Sequence, residues 1–458
     1  MMGQHNSVVS RLRESCPGIF LMKCVCHSAH LCASEACKQL PRALEDMARN
    51  IFNFLKSSSK RQAELKQFQM FLNLKPHKML HPSQTRWLSL IAVVSRILEQ
   101  WDSLKLYFTD TYLSQRLIST ETIYYGLNDP FMKLGFLFLN WSLPLFTRFN
   151  MYFQTEQVVI LELHDKIINL SKEILLCFLK RSYVLQTPLD NINPNNGEFQ
   201  LIDSGLYLGV GVMDLVNDPK VLADNVRRKD FFKRCRDFFI VAAMEIKKRY
   251  NMSDPVLSKL HMLKPENAIS HAFRETSPTL LNLIKVLPRV VTEPQMIQII
   301  DDGWRCLPIL VSTLDYDIIV KSTDPKTKVV PADLFWTTIK KLFSECEILA
   351  NYALIILSLP HSNANCERVF SSVNCLKTKL RSRLNTTTIN GVLHAKQNIK
   401  SSGSNNCVKF TPTDDMLSRM TKKLLYISDS HHDLKDYPTA AAAAVELVEE
   451  GDLAMFNA

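Results

Sequence analysis

The chain has 458 residues, with 55 Lys and Arg against 45 Asp and Glu, a formal net charge of +10. Hydrophobic residues make up 46% and charged residues 22%, a globular balance that excludes a largely disordered chain. Glycine is scarce, 12 in all, so φ > 0 turns are few and long helices are expected rather than a many-stranded β architecture. The length allows two or three domains, or one domain with an insertion. The positive charge is compatible with a polyanion partner without demonstrating one.

The 12 cysteines raise the question of disulfides. The start, Met1 to Ser7, lacks the charged-then-apolar pattern of a secretory signal, so an oxidising compartment is not implied. The densest apolar run, Phe131 to Phe146, contains Lys133, Asn140 and Pro144. It is shorter than the ~20 residues of a membrane span. A soluble, reduced, intracellular protein with no membrane partner is expected.

In chain order, a short helix is expected over Val8–Arg13, then a Pro17-Gly18 turn and an apolar strand from Ile19 to Val25. From Pro41 a helical pattern places Leu44, Met47, Ile51 and Leu55 on one face. Ser59 and Gln62 have capping-box spacing for a helix running to about Leu72. Leu90, Val94, Ile97, Trp101, Leu104 and Phe108 predict one long amphipathic helix opening near Trp87. Ile160 to Phe178 predicts another, and Phe231 to Tyr250 a third with a basic face from Lys233 to Arg249. Beyond Lys328, helices are expected over Asp333–Leu359, Asn363–Leu376 and Thr386–Lys396. After Lys400 the sequence turns polar, then alanine-rich (Ala440 to Ala444) and acidic, as in a loosely ordered tail. No internal repeat is present.

The segment Leu359-Pro-His-Ser-Asn-Ala-Asn-Cys-Glu-Arg-Val-Phe-Ser-Ser372 resembles the C-terminal signature of hAT-superfamily transposases and proteins derived from them. That signature is a stretch of small residues, then Glu-Arg-x-Phe-Ser (Glu367 to Ser371), then a basic segment ending in Leu (Lys377 to Leu384). Weaker matches lie upstream at Cys24-x-x-His27, Thr85-Arg86-Trp87 and Phe335-Trp336. The resemblance implies a large helical insertion flanked by an RNase H-like core, with Glu367 at the position of the third catalytic acid and the C-terminal helices as a dimerisation region. The first two acids of the family would lie upstream of Met1. The expected fold is mainly α: residues 1–27 a remnant of the RNase H-like α/β core, 28–330 a helical insertion domain, 331–400 C-terminal helices with the dimerisation region, and 401–458 a partly disordered tail.

Two-metal phosphoryl chemistry needs several carboxylates around ions roughly 3.5–4 Å apart, and Glu367 alone cannot supply them. Glu367 therefore reads as a relic acid that also suits a helix N-terminus. Adjacent Asp301 and Asp302 diverge by about 100° on a helix and read as structural. Cys24, Cys26, His27, His30, Cys32 and Cys37 crowd one segment but lack the paired spacing of a zinc site. Packing is the first reading for them, with metal binding at Cys24 and His27 second and a nucleic-acid contact third. Arg86, Lys377, Lys379, Arg381 and Arg383 are candidate DNA contacts. Phe370, Val373, Leu376, Leu380, Ile389, Val392 and Leu393 form apolar faces that a second copy would cover.

The function expected is that of a hAT-derived protein lacking two of three catalytic acids, not an enzyme, acting as a homodimer or with a hAT-related partner, with weak DNA binding. No cofactor is expected, and Mg2+ or Mn2+ only if upstream acids exist. A nuclear location goes with this, otherwise a cytoplasmic one. Two alternatives stand: the C-terminal fragment of an active metal-dependent transposase, and a nonfunctional transposon relic.

Overall fold

The computed structural model describes residues 7–82, 87–312, 330–401 and 408–420. Among these it is mainly helical, and the one β pairing is an isolated bridge between Leu179 and Gln200. The main helices are α1 (Val8–Ser15), α2 (Val25–Cys37), α3 (Ala43–Lys56), α4 (Ser59–Phe71), α5 (Trp87–Glu99), α6 (Trp101–Gln115), α7 (Ile118–Asn128), α8 (Pro130–Phe153) and α9 (Leu163–Leu175). After a region of short helical turns come α10 (Asn225–Arg249), α11 (Pro294–Ser312), α12 (Ala332–Leu342), α13 (Glu347–Leu357), α14 (Ala364–Leu376) and α15 (Thr386–Ser401). No helix among the described residues is long and apolar enough to cross a membrane.

The chain forms two compact units, one up to Val369 and one from Phe370. In the first, α8 is the central element. Pro130 occupies its first turn, where a missing N–H costs nothing, and the Asp129 carboxylate accepts from Phe131 N at 3.0 Å. Its buried residues cover rather more than half of its circumference, and it packs on α2 and α5. Gly135 allows close approach to α3, since a Cβ there would lie 2.6 Å from Leu44 Cδ2. Gly209 has φ +91, and a Cβ there would lie 2.4 Å from Trp141 Cγ, so both conformation and space require glycine.

Several expectations are corrected. Ile19–Cys24 is not a strand but irregular, and Val25 opens α2. Phe20 and Met22 are apolar because they pack on the core, with no neighbouring strand to pair with. The stripe from Leu90 to Phe108 belongs to two helices separated at Gln100. That residue is fully buried, its Nε2 donates to Lys75 O and its Oε1 accepts from Ser103. Ser59 does not cap α4: Ser58 does, accepting from Arg61 N at 3.3 Å, while Gln62 Nε2 donates to Leu55 O. The Asp333–Leu359 helix is divided between α12 and α13, because Phe343 turns extended and stays buried.

Candidate self-association region and the cysteine–histidine segment

Helices α12 and α13 pack against one another, and α13 also packs on α11. Phe335 and Trp336 are buried and meet edge to face at 5.1 Å. The Trp336 indole N–H donates to Leu263 O at 3.0 Å, which satisfies the one polar atom of a fully buried side chain. Leu349, Ala353, Ile356 and Leu357 share one face of α13 and are buried in the chain's own core, so no second copy is needed to cover them, whereas Ile355 on the other side of α13 is 52% exposed.

The segment between α13 and α14 closes the C-terminal end of α8. Ser362 Oγ donates to Phe153 O at 2.7 Å, Arg368 Nη1 to Gln154 O at 2.9 Å, and His361 Nε2 to Thr155 O at 3.4 Å. The Phe153 carbonyl is among those a helix end leaves without an internal partner, and those of Gln154 and Thr155 follow directly after it. Burial lowers the His361 pKa, in keeping with a neutral imidazole that donates one hydrogen bond.

Cys24 stands at the N-cap position of α2 and belongs to the same neighbourhood. The Cys26 thiol, and the main-chain N–H groups of Asn363, His27 and Cys26, favour its thiolate and bring its pKa down to about 5 against the opposing effect of burial. Cys26 moves the other way, raised first by its hydrogen bond to Cys24 and then by burial, and its thiol donates to Asn150 O at 3.7 Å. The fold thus brings the Cys24-x-x-His27 segment and the start of the Glu-Arg motif to one place, although they are more than 300 positions apart.

His27 is exposed, whereas Cys26, Cys32 and Cys37 are buried. Among the described residues, no three His, Cys, Asp or Glu side chains are grouped to hold a metal ion. Cys32 and Cys37 share one stripe of α2 with Ala29, Ala33 and Ala36, and this small-residue face packs on α10. That signal was available in the sequence: the positions recur at helical spacing, and the tight apposition of two helices favours small side chains.

Glu367 is exposed on the first turn of α14. Beyond it, Phe370 is 59% and Leu380 98% exposed. Val373, Val392 and Leu393 are half-buried, while Leu376 and Ile389 are buried but stand outside the main core. Residues 334–399 match the hAT family C-terminal dimerisation region. Over these residues the chain is similar to hAT-family transposases. No curated protein and no solved structure matches it.

The hAT region is divided between the two compact units. Its first part, α12 and α13, contributes Phe335, Trp336, Ile339 and Leu349 to the main core, which extends from Val25 to Leu357. Its second part, from Phe370, contributes no residue to that core and carries Phe370 and Leu380 outward. Lys377, Lys379, Arg381 and Arg383 are all exposed there, with Leu380 in a short turn, Lys379–Arg381. Arg86 lies outside the described residues.

Most of the remaining charged candidates have internal partners. Asp301 accepts from Thr279 Oγ1 at 2.6 Å and from Leu280 N at 2.7 Å, and Asp302 accepts from Gln298 Nε2 at 2.9 Å. On α10, Arg236 binds Asp203 and the Leu201 carbonyl, Lys247 the carbonyls of Asp190 and Ile192, and Arg249 pairs with Glu245. Much of the basic face therefore holds the polar 189–203 segment and α10's own acids.

Proposed function

We propose that this hAT-related chain works by associating with a second copy of itself, or with a hAT-related partner, and does not itself cleave DNA. The observation that carries the reading is the exposure of Phe370 and Leu380, 59% and 98%, inside the region that matches the hAT dimerisation family. Large apolar side chains left in water forgo about 25 cal/mol per Å², and a partner surface recovers it. On this reading, residues 28–330 correspond to the family's helical insertion and residues 331–400 to the part that returns to an RNase H-like core. The non-catalytic part of the reading rests on ligand number: Glu367, exposed on the first turn of α14, is one carboxylate where two-metal chemistry needs several. The exposed cations Lys377, Lys379, Arg381 and Arg383 support an auxiliary, salt-sensitive DNA contact.

The test is the mass of the full chain in solution by light scattering. The mass should double with rising concentration, and Phe370→Asp with Leu380→Asp should return it to the monomer value while leaving helicity unchanged. A monomer at every concentration, with no hAT-related partner captured, would sink the proposal.

A further inference from the structure

The turn between α3 and α4 is tied by Arg61 Nη1 to Phe54 O at 3.0 Å and Gln62 Nε2 to Leu55 O at 3.1 Å. The chain after α4 then runs without regular structure to Pro82. Side chains from α4, α5 and the α5–α6 junction pin it by its carbonyls: Gln69 donates to His77 O, Arg96 to Lys78 O and Gln100 to Lys75 O, at 2.8–3.2 Å. The His77 ring is in turn held by Glu99 at 2.8 Å. The strap is therefore fixed in place.

Between strap and hairpin lies a groove of about 540 Å³, within the range of about 300–1,000 Å³ typical of small-molecule sites. Phe52, Leu55, Leu65 and Met79 supply its apolar surface, and Lys56, Lys66 and Lys78 its cations, with no carboxylate in the lining. Nearby cations are paired, Arg49 with Glu45, Lys60 with Glu64 and Arg96 with Glu99. Among the described residues the three groove lysines have no ion pair. Three unpaired ammonium groups around one concave, partly apolar site concentrate anions there.

We infer that this groove binds a nucleotide, its phosphates on Lys56, Lys66 and Lys78 and its base on the Phe52–Met79 surface. An apolar surface beside clustered ammonium groups matches a ligand that is flat at one end and polyanionic at the other. The same chemistry is offered by a free nucleotide and by the end of a nucleic-acid strand, and competition separates the two.

Binding of ATP to the full chain is measured by calorimetry, alone and against a short single-stranded oligonucleotide. Lys56→Gln, Lys66→Gln and Lys78→Gln together should weaken ATP about tenfold or more, whereas Lys60→Gln, on the same helix hairpin, should not. All three lysines are exposed, so an unchanged circular-dichroism melt confirms the fold of the triple variant. Displacement of ATP by the oligonucleotide assigns the site to a strand end, and failure to displace assigns it to a free nucleotide. The inference is overturned if neither probe binds at millimolar concentration, if the triple variant binds as well as the wild type, or if inorganic triphosphate competes as well as ATP.

Discussion

Cys24 lies half-buried where α2 begins, and its surroundings stabilise a negative charge on sulfur. A thiolate, not a thiol, attacks alkylating reagents. With a pKa lowered from 9.0 to about 5, the iodoacetamide rate at the Cys24 peptide should stay near its plateau from pH 8 to pH 6 and fall only near pH 5. Peptide mass mapping follows this one site, and a rate already dropping about tenfold per pH unit below pH 8 would contradict the environment described. The sign for stability follows from the same shift. A folded value below the unfolded one adds stability above pH 9 that is lost as pH falls toward 5. Cys26 opposes this above pH 9, because its thiol is held protonated. Asp301 illustrates the contrast between sequence and structure at this scale. Its spacing argued against a shared ligand face with Asp302, but the hydroxyl and amide it accepts from, 22 and 21 positions away, lie beyond the reach of any local pattern.

At the scale of elements, the contact of α3 with α8 depends on a missing side chain. In Gly135→Ala the new methyl would crowd Leu44 at 2.6 Å. The overpacking cost of about 1–3 kcal/mol outweighs the helix gain of about 0.5–1 kcal/mol from replacing glycine. The urea midpoint should therefore fall, and Leu44→Ala should relieve the clash in the double variant, giving a non-additive cycle. An additive cycle would show that the two residues are not in contact.

Elements were legible where one apolar stripe meets one neighbour. The face of Leu44, Met47, Ile51 and Leu55 is buried as the spacing implies. Breaks were not legible, because Gln100 and Phe343 are ordinary helix residues by propensity. They interrupt their helices to satisfy a distant carbonyl in one case and to bury a ring in the other. The supposed strand at Ile19–Val25 failed for a related reason: an apolar run shows that a segment is covered, not what covers it. Within the candidate site, Phe370 and Leu380 are exposed, while Leu376 and Ile389, which the pattern grouped with them, are already buried within the single chain.

For the whole molecule, the main core ends at Leu357 and the second compact unit begins at Phe370. A chain ending at Val369 should therefore keep a cooperative thermal transition close to that of the full chain while losing self-association. Circular dichroism and light scattering on the same sample check both. Loss of cooperativity would mean that the core depends on residues beyond Val369.

The placement of indoles gives this division an optical signature. All five tryptophans, at positions 87, 101, 141, 304 and 336, precede the second unit, which has none. Trp101, Trp304 and Trp336 are buried, and Trp141 is partly so. Tryptophan emission, excited selectively, therefore watches only the first unit, while far-ultraviolet dichroism sums the helices of both. The offset between the two melting curves reads out the coupling of the units, without any label.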